Sequence, residues 1–125
     1  MLGTPIDTVY PPEHESLQAL IGHEQLLLSP FSSGAPIRKG NFVTRNKVMA
    51  ALCDGAVIVE ANDKSGSLSF ASACLRLQKP VFFPSWLVNR PGLLWPKKFV
   101  EHPGVVLIDS PRDVARHLSG GAIAG

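Results

Sequence analysis

The stretch NFVTRNKVMAALCDGAVIVEANDKSGSLSFASACLRL, Asn41 to Leu77, sets a short apolar run between two helical patterns. From Arg45 to Cys53, the residues Val48, Met49, Leu52 and Cys53 fall on one side of a helix. AVIVE, Ala56 to Glu60, is too short for a helix and reads as a buried strand. From Leu68 to Gln78, core spacing returns at Leu68, Ala71, Cys74 and Leu75. Strands joined through helices in this way form right-handed crossovers, which predict a parallel sheet covered on both faces.

Outward from that centre the alternation continues. Toward the amino terminus, Gln25–Ser29 reads as a second buried strand and Met1–Ile6 as a truncated one. Glu13–Gly22 reads as a helix with Pro12 before its start, and Pro30–Phe42, with two prolines and two glycines, as a long loop. Toward the carboxyl terminus, Val81–Phe83 and Val105–Ile108 are further strands and Leu93–Val100 a short helix. Asp109–Leu118 is a helix with Pro111 in its first turn, and 119–125 is expected to be a flexible tail. The expected domain is 1–118.

A chain of 125 residues, 45% hydrophobic and 18% charged, has one domain's worth of core and none of the composition of a disordered chain. No apolar run reaches the ~18 residues of a membrane span, and no basic-then-apolar leader opens the chain, so the expected compartment is cytoplasmic. Cys53 and Cys74 sit in helical patterns without metal-ligand spacing and are expected to be buried reduced thiols. His14, His23, His102 and His117 are scattered, so no metal is expected. No nucleophile elbow marks a hydrolase. Trp86, Trp95, Phe82, Phe83 and Phe99 read as core and interface filler.

Charge is distributed unevenly. The net charge is only +2, yet no acid stands between Glu24 and Asp54, a window that holds Arg38, Lys39, Arg45 and Lys47. Lys64 follows the Ala56–Glu60 strand, in KSGS, Lys64–Ser67. In parallel sheets ligands bind beyond the carboxyl ends of the strands, where these segments are expected to meet. A glycine-opened turn into a helix points backbone N–H groups outward, and Ser65 and Ser67 add hydroxyls that cap the helix or donate to phosphate. It is not a Walker A loop. Phe42, beside the basic cluster, either packs beneath it or stacks on a base.

At these residues the sequence resembles the DprA/Smf family of DNA-processing proteins. The family's Phe-Pro-x-Arg-Asn-Arg signature stands here as Phe42-Val43-Thr44-Arg45-Asn46-Lys47. Its strand ending in Val-Glu-Ala is Val59-Glu60-Ala61, and its Ser-Gly-(Ser/Ala/Thr)-Leu helix opening is Ser65-Gly66-Ser67-Leu68. GTPIDTVYPPEHESL resembles the family's Tyr-Pro turn, and the match covers about residues 1 to 110. Val43 replaces a proline, Lys47 an arginine and Pro30 a glutamate; lysine keeps the charge but loses the planar fork of arginine. The resemblance implies an α/β, Rossmann-like three-layer α/β/α fold with a mostly parallel sheet, lacking its N-terminal half and its Gly-Ser-Arg turn.

By the same resemblance the chain is a non-enzymatic module that binds single-stranded DNA without a cofactor, with RecA as a partner in loading during transformation. Arg38, Lys39, Arg45, Asn46, Lys47, Lys64, Ser65, Gly66 and Ser67 form the implied contact set. The truncated sheet edge at Met1–Ile6 suggests a homodimer or docking on a missing half. The LOG-type phosphoribohydrolases offer a rival likeness through Arg45 and Met49. Where their closing glutamate stands, this chain has Leu68, Ser69, Phe70 and Ala71, with Glu60 as a substitute acid.

Overall fold

A computed structural model describes the backbone of residues 1–124 and the side chains of residues 1–120. The chain divides into two compact units, Met1–Met49 and Ala50–Gly125.

The second unit holds the sheet. Strands β1 (Ala56–Val57), β2 (Val81–Pro84) and β3 (Val105–Ile108) lie side by side in that order, all parallel. Ala56 is opposite Val81, and Phe82 is opposite Val106. Between β1 and β2 runs helix α3 (Gly66–Arg76); between β2 and β3 come the short α4 (Ser85–Val88) and α5 (Pro96–Phe99). Helix α6 (Pro111–Ala124) follows β3.

Strand alternation builds the layers. Val81 and Phe83 enter a buried cluster with Ala71 and Cys74 of α3, Leu87 of α4 and Trp95. The Phe83 ring lies 4.8 Å from Trp95 and meets Phe99 edge-on at 5.7 Å. Phe82 points to the opposite face, where its ring meets His117 of α6 edge-on at 5.4 Å. Helices therefore cover β2 from both sides, the three-layer parallel α/β arrangement expected. Both phenylalanines are fully buried, each contributing about 2–3 kcal/mol of hydrophobic stabilisation.

At β1 the structure departs from the sequence reading. The ladder is confined to Ala56–Val57, held by Ala56 N–H to Pro80 O and Ile58 N–H to Phe82 O, both 3.0 Å. Ala56 and Ile58 are buried, but Val57 and Val59 are 45% and 60% exposed. β1 is the outer strand of this sheet, so its alternate side chains remain in solvent. Helix α4 was not expected, because Pro84 reads as a break; here it supplies the extended residue before the first turn. Two further side chains fix element ends. Lys79 Nζ donates to the carbonyls of Ala50, Ala51 and Cys53 at 2.8, 2.7 and 2.5 Å, closing the carboxyl end of α2 (Gly40–Leu52). Asp113 Oδ2 accepts the N–H groups of Asp109 and Ser110 at the start of α6.

The first unit is loop-rich. A 3-10 turn, Pro12–His14, leads into α1 (Glu15–Glu24), which has no buried residue. The strands expected at Met1–Ile6 and Gln25–Ser29 do not form. One backbone bond joins the segments, Leu2 N–H to Leu28 O at 2.8 Å, and Leu26 is 74% exposed. An apolar run becomes a strand only where a sheet receives it, and the described residues of this unit contain none. Thr4 is buried instead, with its hydroxyl donating to Thr8 O at 3.2 Å. Of the expected tail 119–125, the backbone is helical to Ala124, and Gly125 lies outside the described residues.

Candidate nucleic-acid interface

Helix α2 begins at Gly40, five residues before the expected start at Arg45. The Asn41 amide explains part of this: its N–H bonds Arg38 O at 2.9 Å, and its side chain donates to Pro36 O at 3.2 Å. Phe42 then anchors the first turn. Its ring lies so close to Gly3 that a Cβ there would stand 2.5 Å from it, so only glycine permits the approach. Tyr10 packs at 6.1 Å on the same ring. Phe42 thus packs beneath the basic cluster, the first of the two roles open to it.

Arg45 sits one turn above. Its guanidinium carbon is 5.9 Å from the Phe42 ring centroid, NH1 donates to Met1 O at 3.1 Å, and Nε donates to Asn46 Oδ1 at 2.9 Å. Asn46 is buried. Lys47 is exposed, and residues two apart on a helix do not share a face, so Arg45 and Lys47 point in different directions. Arg38 and Lys39 are exposed in the loop before the helix. Lys47, Arg38 and Lys39 are open to solvent, while Arg45 is half-buried and bonded to Met1 and Asn46.

In the second unit the loop leaving β1 delivers α3 at the carboxyl end of the strand. Asn62 shapes it. Its side-chain oxygen accepts the Lys64 N–H at 3.0 Å, its own N–H donates to Ser65 Oγ at 2.8 Å, and its carbonyl accepts the Ser65 N–H at 3.0 Å. Ser65 Oγ therefore binds the loop, and no side chain caps α3, contrary to the capping expectation. Gly66 does not have a positive φ, and a Cβ there would meet nothing within 4 Å, so the turn itself does not require glycine. What glycine leaves is open space at the first turn of α3. Lys64 is exposed and Ser67 half-buried beside it.

Residues from the α4–α5 segment brace this loop. Arg90 forms a two-point ion pair with Glu60 at 2.8 and 3.0 Å. Asp63 Oδ1 accepts the N–H groups of Leu94 and Trp95, and Trp95 Nε1 donates to Ala61 O at 3.1 Å. The Arg90 hydrogen bonds hold the Glu60 carboxyl below its ordinary value, so it stays ionised at neutral pH. These bracing residues were not found from sequence, because the partners lie about thirty positions apart and no local pattern joins them. Of the two tryptophans, Trp95 is buried in the core, whereas Trp86 is 54% exposed with Arg90 over its ring at 5.2 Å.

The contact set thus falls into two groups, Arg38, Lys39, Arg45, Asn46 and Lys47 in the first unit and Lys64 to Ser67 in the second. Among the described residues no cluster of three metal-ligating side chains occurs, and no helix is long and apolar enough to cross a membrane.

The DNA recombination-mediator protein A family matches residues 1–110. DNA processing protein DprA of Streptococcus pneumoniae is 35% identical over 115 residues, covering 91% of this chain and 40% of that protein. Protein Smf of Escherichia coli is 30% identical over 122 residues, 97% of this chain and 32% of its own length. The chain therefore spans less than half the length of these relatives. Among solved structures, the Streptococcus pneumoniae DprA superposes with a TM-score of 0.76 at 32% identity, covering 91% of this chain and 40% of that one. DNA processing protein A of Helicobacter pylori, whose structure concerns its single-stranded DNA binding mode, gives 0.73 at 27% identity, covering 95% and 54%.

Proposed function

Since the chain belongs to the DprA/Smf family of DNA recombination-mediator proteins, we propose that it binds single-stranded DNA in DNA processing and recombination, through two phosphate-contacting segments, one in each unit. In the first unit, Lys47 with Arg38 and Lys39 supplies exposed charge; Arg45 holds the helix and Asn46 in place behind it. In the second, Lys64 supplies charge, and the first turn of α3 supplies backbone dipole and the Ser67 hydroxyl. The braced Asn62–Ser65 loop is the observation that carries this reading. It holds an exposed lysine and an open glycine at the carboxyl end of a parallel strand, where anions are received.

Binding, rather than nucleotide hydrolysis, is the favoured chemistry. Glycosidic cleavage needs a carboxyl that can carry a proton, and Glu60 is tied up as an ionised partner of Arg90. RecA is the expected partner in loading, as the family resemblance implies.

The test is fluorescence polarisation with a labelled oligothymidine of about 15 nucleotides, a length within single-strand site sizes. Lys47→Ala with Lys64→Ala should weaken binding by at least about threefold and lower the slope of log affinity against log salt by about 1.4, because two phosphate neutralisations are lost. Unchanged affinity and slope in a folded double variant would remove both lysines from the interface.

A further inference from the structure

On the face of the second unit away from α6, two hollows adjoin between α3 and α5. The first, about 350 Å³, is lined by Leu68, Trp95 and Phe99, with the exposed Leu94 at its edge. The second, about 410 Å³, is lined by Leu75, Arg76, Phe99 and His102. Ser72, Lys98 and Phe99 border both, so the two make one groove.

Its rim is made of donors. Arg76 and Lys98 are exposed cations, and Ser72 carries a hydroxyl. His102 Nδ1 accepts the Gly104 N–H at 3.0 Å, which leaves Nε2–H as the donor of the neutral ring. The one carboxylate, Asp63, already receives the Leu94 and Trp95 amides at 2.9 and 2.7 Å. Glu101 lines a separate hollow with Lys97. A partner for such a rim carries carboxylates.

The floor narrows the choice further. Leu68, Leu75 and Leu94 give it aliphatic walls, Trp95 is buried, and the half-buried Phe99 ring is flanked edge-on by Phe83 and Trp95. Nucleobases gain most from an open aromatic face, whereas leucine-like side chains fit branched aliphatic walls. Spacing agrees. The hollows are centred roughly four residues apart along α3, about 6 Å at the helical rise. An extended peptide repeats side chains on one face every two residues, about 6.7 Å. Side chains i and i+2 of such a peptide would enter the two hollows; the intervening acids lie on its outward side, where the long, exposed Arg76 and Lys98 side chains reach them from the rim.

We infer that the α3–α5 groove is a docking site for an extended peptide segment alternating apolar and acidic residues. This partner surface is independent of the DNA-binding reading, and none of the residues proposed for DNA lines it.

The experiment uses the full chain and a fluorescein-labelled hexapeptide alternating leucine and aspartate, read by polarisation. Saturable binding is expected, weakened about tenfold or more by Arg76→Glu with Lys98→Glu, two exposed positions. A hexapeptide with lysine in place of aspartate should not bind, and Lys64→Ala should leave peptide affinity unchanged. The inference is overturned by absence of binding to the parent chain, or by equal binding to the double variant with its melting curve intact. It is also overturned if oligothymidine displaces the peptide and itself loses affinity in the Arg76/Lys98 variant, because the groove would then be a nucleic-acid track.

Discussion

Arg45 shows how a signature residue can serve the fold before it serves a ligand. Its bonds to Met1 O and Asn46 Oδ1 and its position over Phe42 tie the chain's first residue to α2. Arg45→Ala should therefore destabilise the first unit by about 1 kcal/mol, the scale of a partly exposed charged hydrogen bond. Lys47→Ala should leave stability unchanged; thermal melts followed by circular dichroism separate the two. Asp113 gives a pH-dependent counterpart. Backbone N–H groups of Asp109 and Ser110 hold its carboxyl below the ordinary 3.8. A depressed folded value means its contribution is present above the unfolded value and is lost as pH falls through the folded one. Asp113→Ala should melt earlier than the parent at neutral pH, and the difference should shrink in acid below the folded value. A difference that stays constant with pH would contradict this. Lys79 belongs at this scale too: its three carbonyl partners lie some twenty-six to twenty-nine positions upstream, and nothing in the local sequence announces them.

Elements were legible where periodicity and burial agree. The β3 strand matches its expected limits Val105–Ile108, and α3 and β2 lie within two residues of theirs; β2 is packed on both faces, and α3 buries Ala71, Ala73 and Cys74 along one side. Gln25–Ser29 failed for the converse reason, since an apolar run carries no information on whether a sheet awaits it. The candidate site was legible in residue type and in order along the chain. Its orientation was not, because facing depends on where α2 starts, and that start is set by Phe42 against Gly3. Two glycine substitutions check the distinction. Gly3→Ala should destabilise the first unit, as its Cβ would meet the Phe42 ring at 2.5 Å. Gly66→Ala should leave the melt unchanged or raised, since alanine favours helix, yet weaken oligothymidine binding by filling the space at the first turn of α3. Unaltered binding in Gly66→Ala would separate that space from the ligand.

Across the whole chain, order is unevenly invested. The second unit has the parallel sheet and the aromatic cluster of Phe83, Trp95 and Phe99, whereas the first relies on turns and side-chain bonds around Thr4 and Phe42. Amide hydrogen exchange should consequently be slowest at Val81–Phe83 and fast through Gln25–Ser29, which forms no ladder. Equal protection in both segments would contradict that ranking. The two tryptophans differ just as sharply: one is enclosed and donates to Ala61 O, while the other stands half in water beneath a guanidinium. Their emission should differ accordingly, with a blue-shifted band from Trp95 and an iodide-quenchable red-shifted one from Trp86. The protein thereby carries two built-in optical probes, one reporting the integrity of its interior and the other the solvent at its surface.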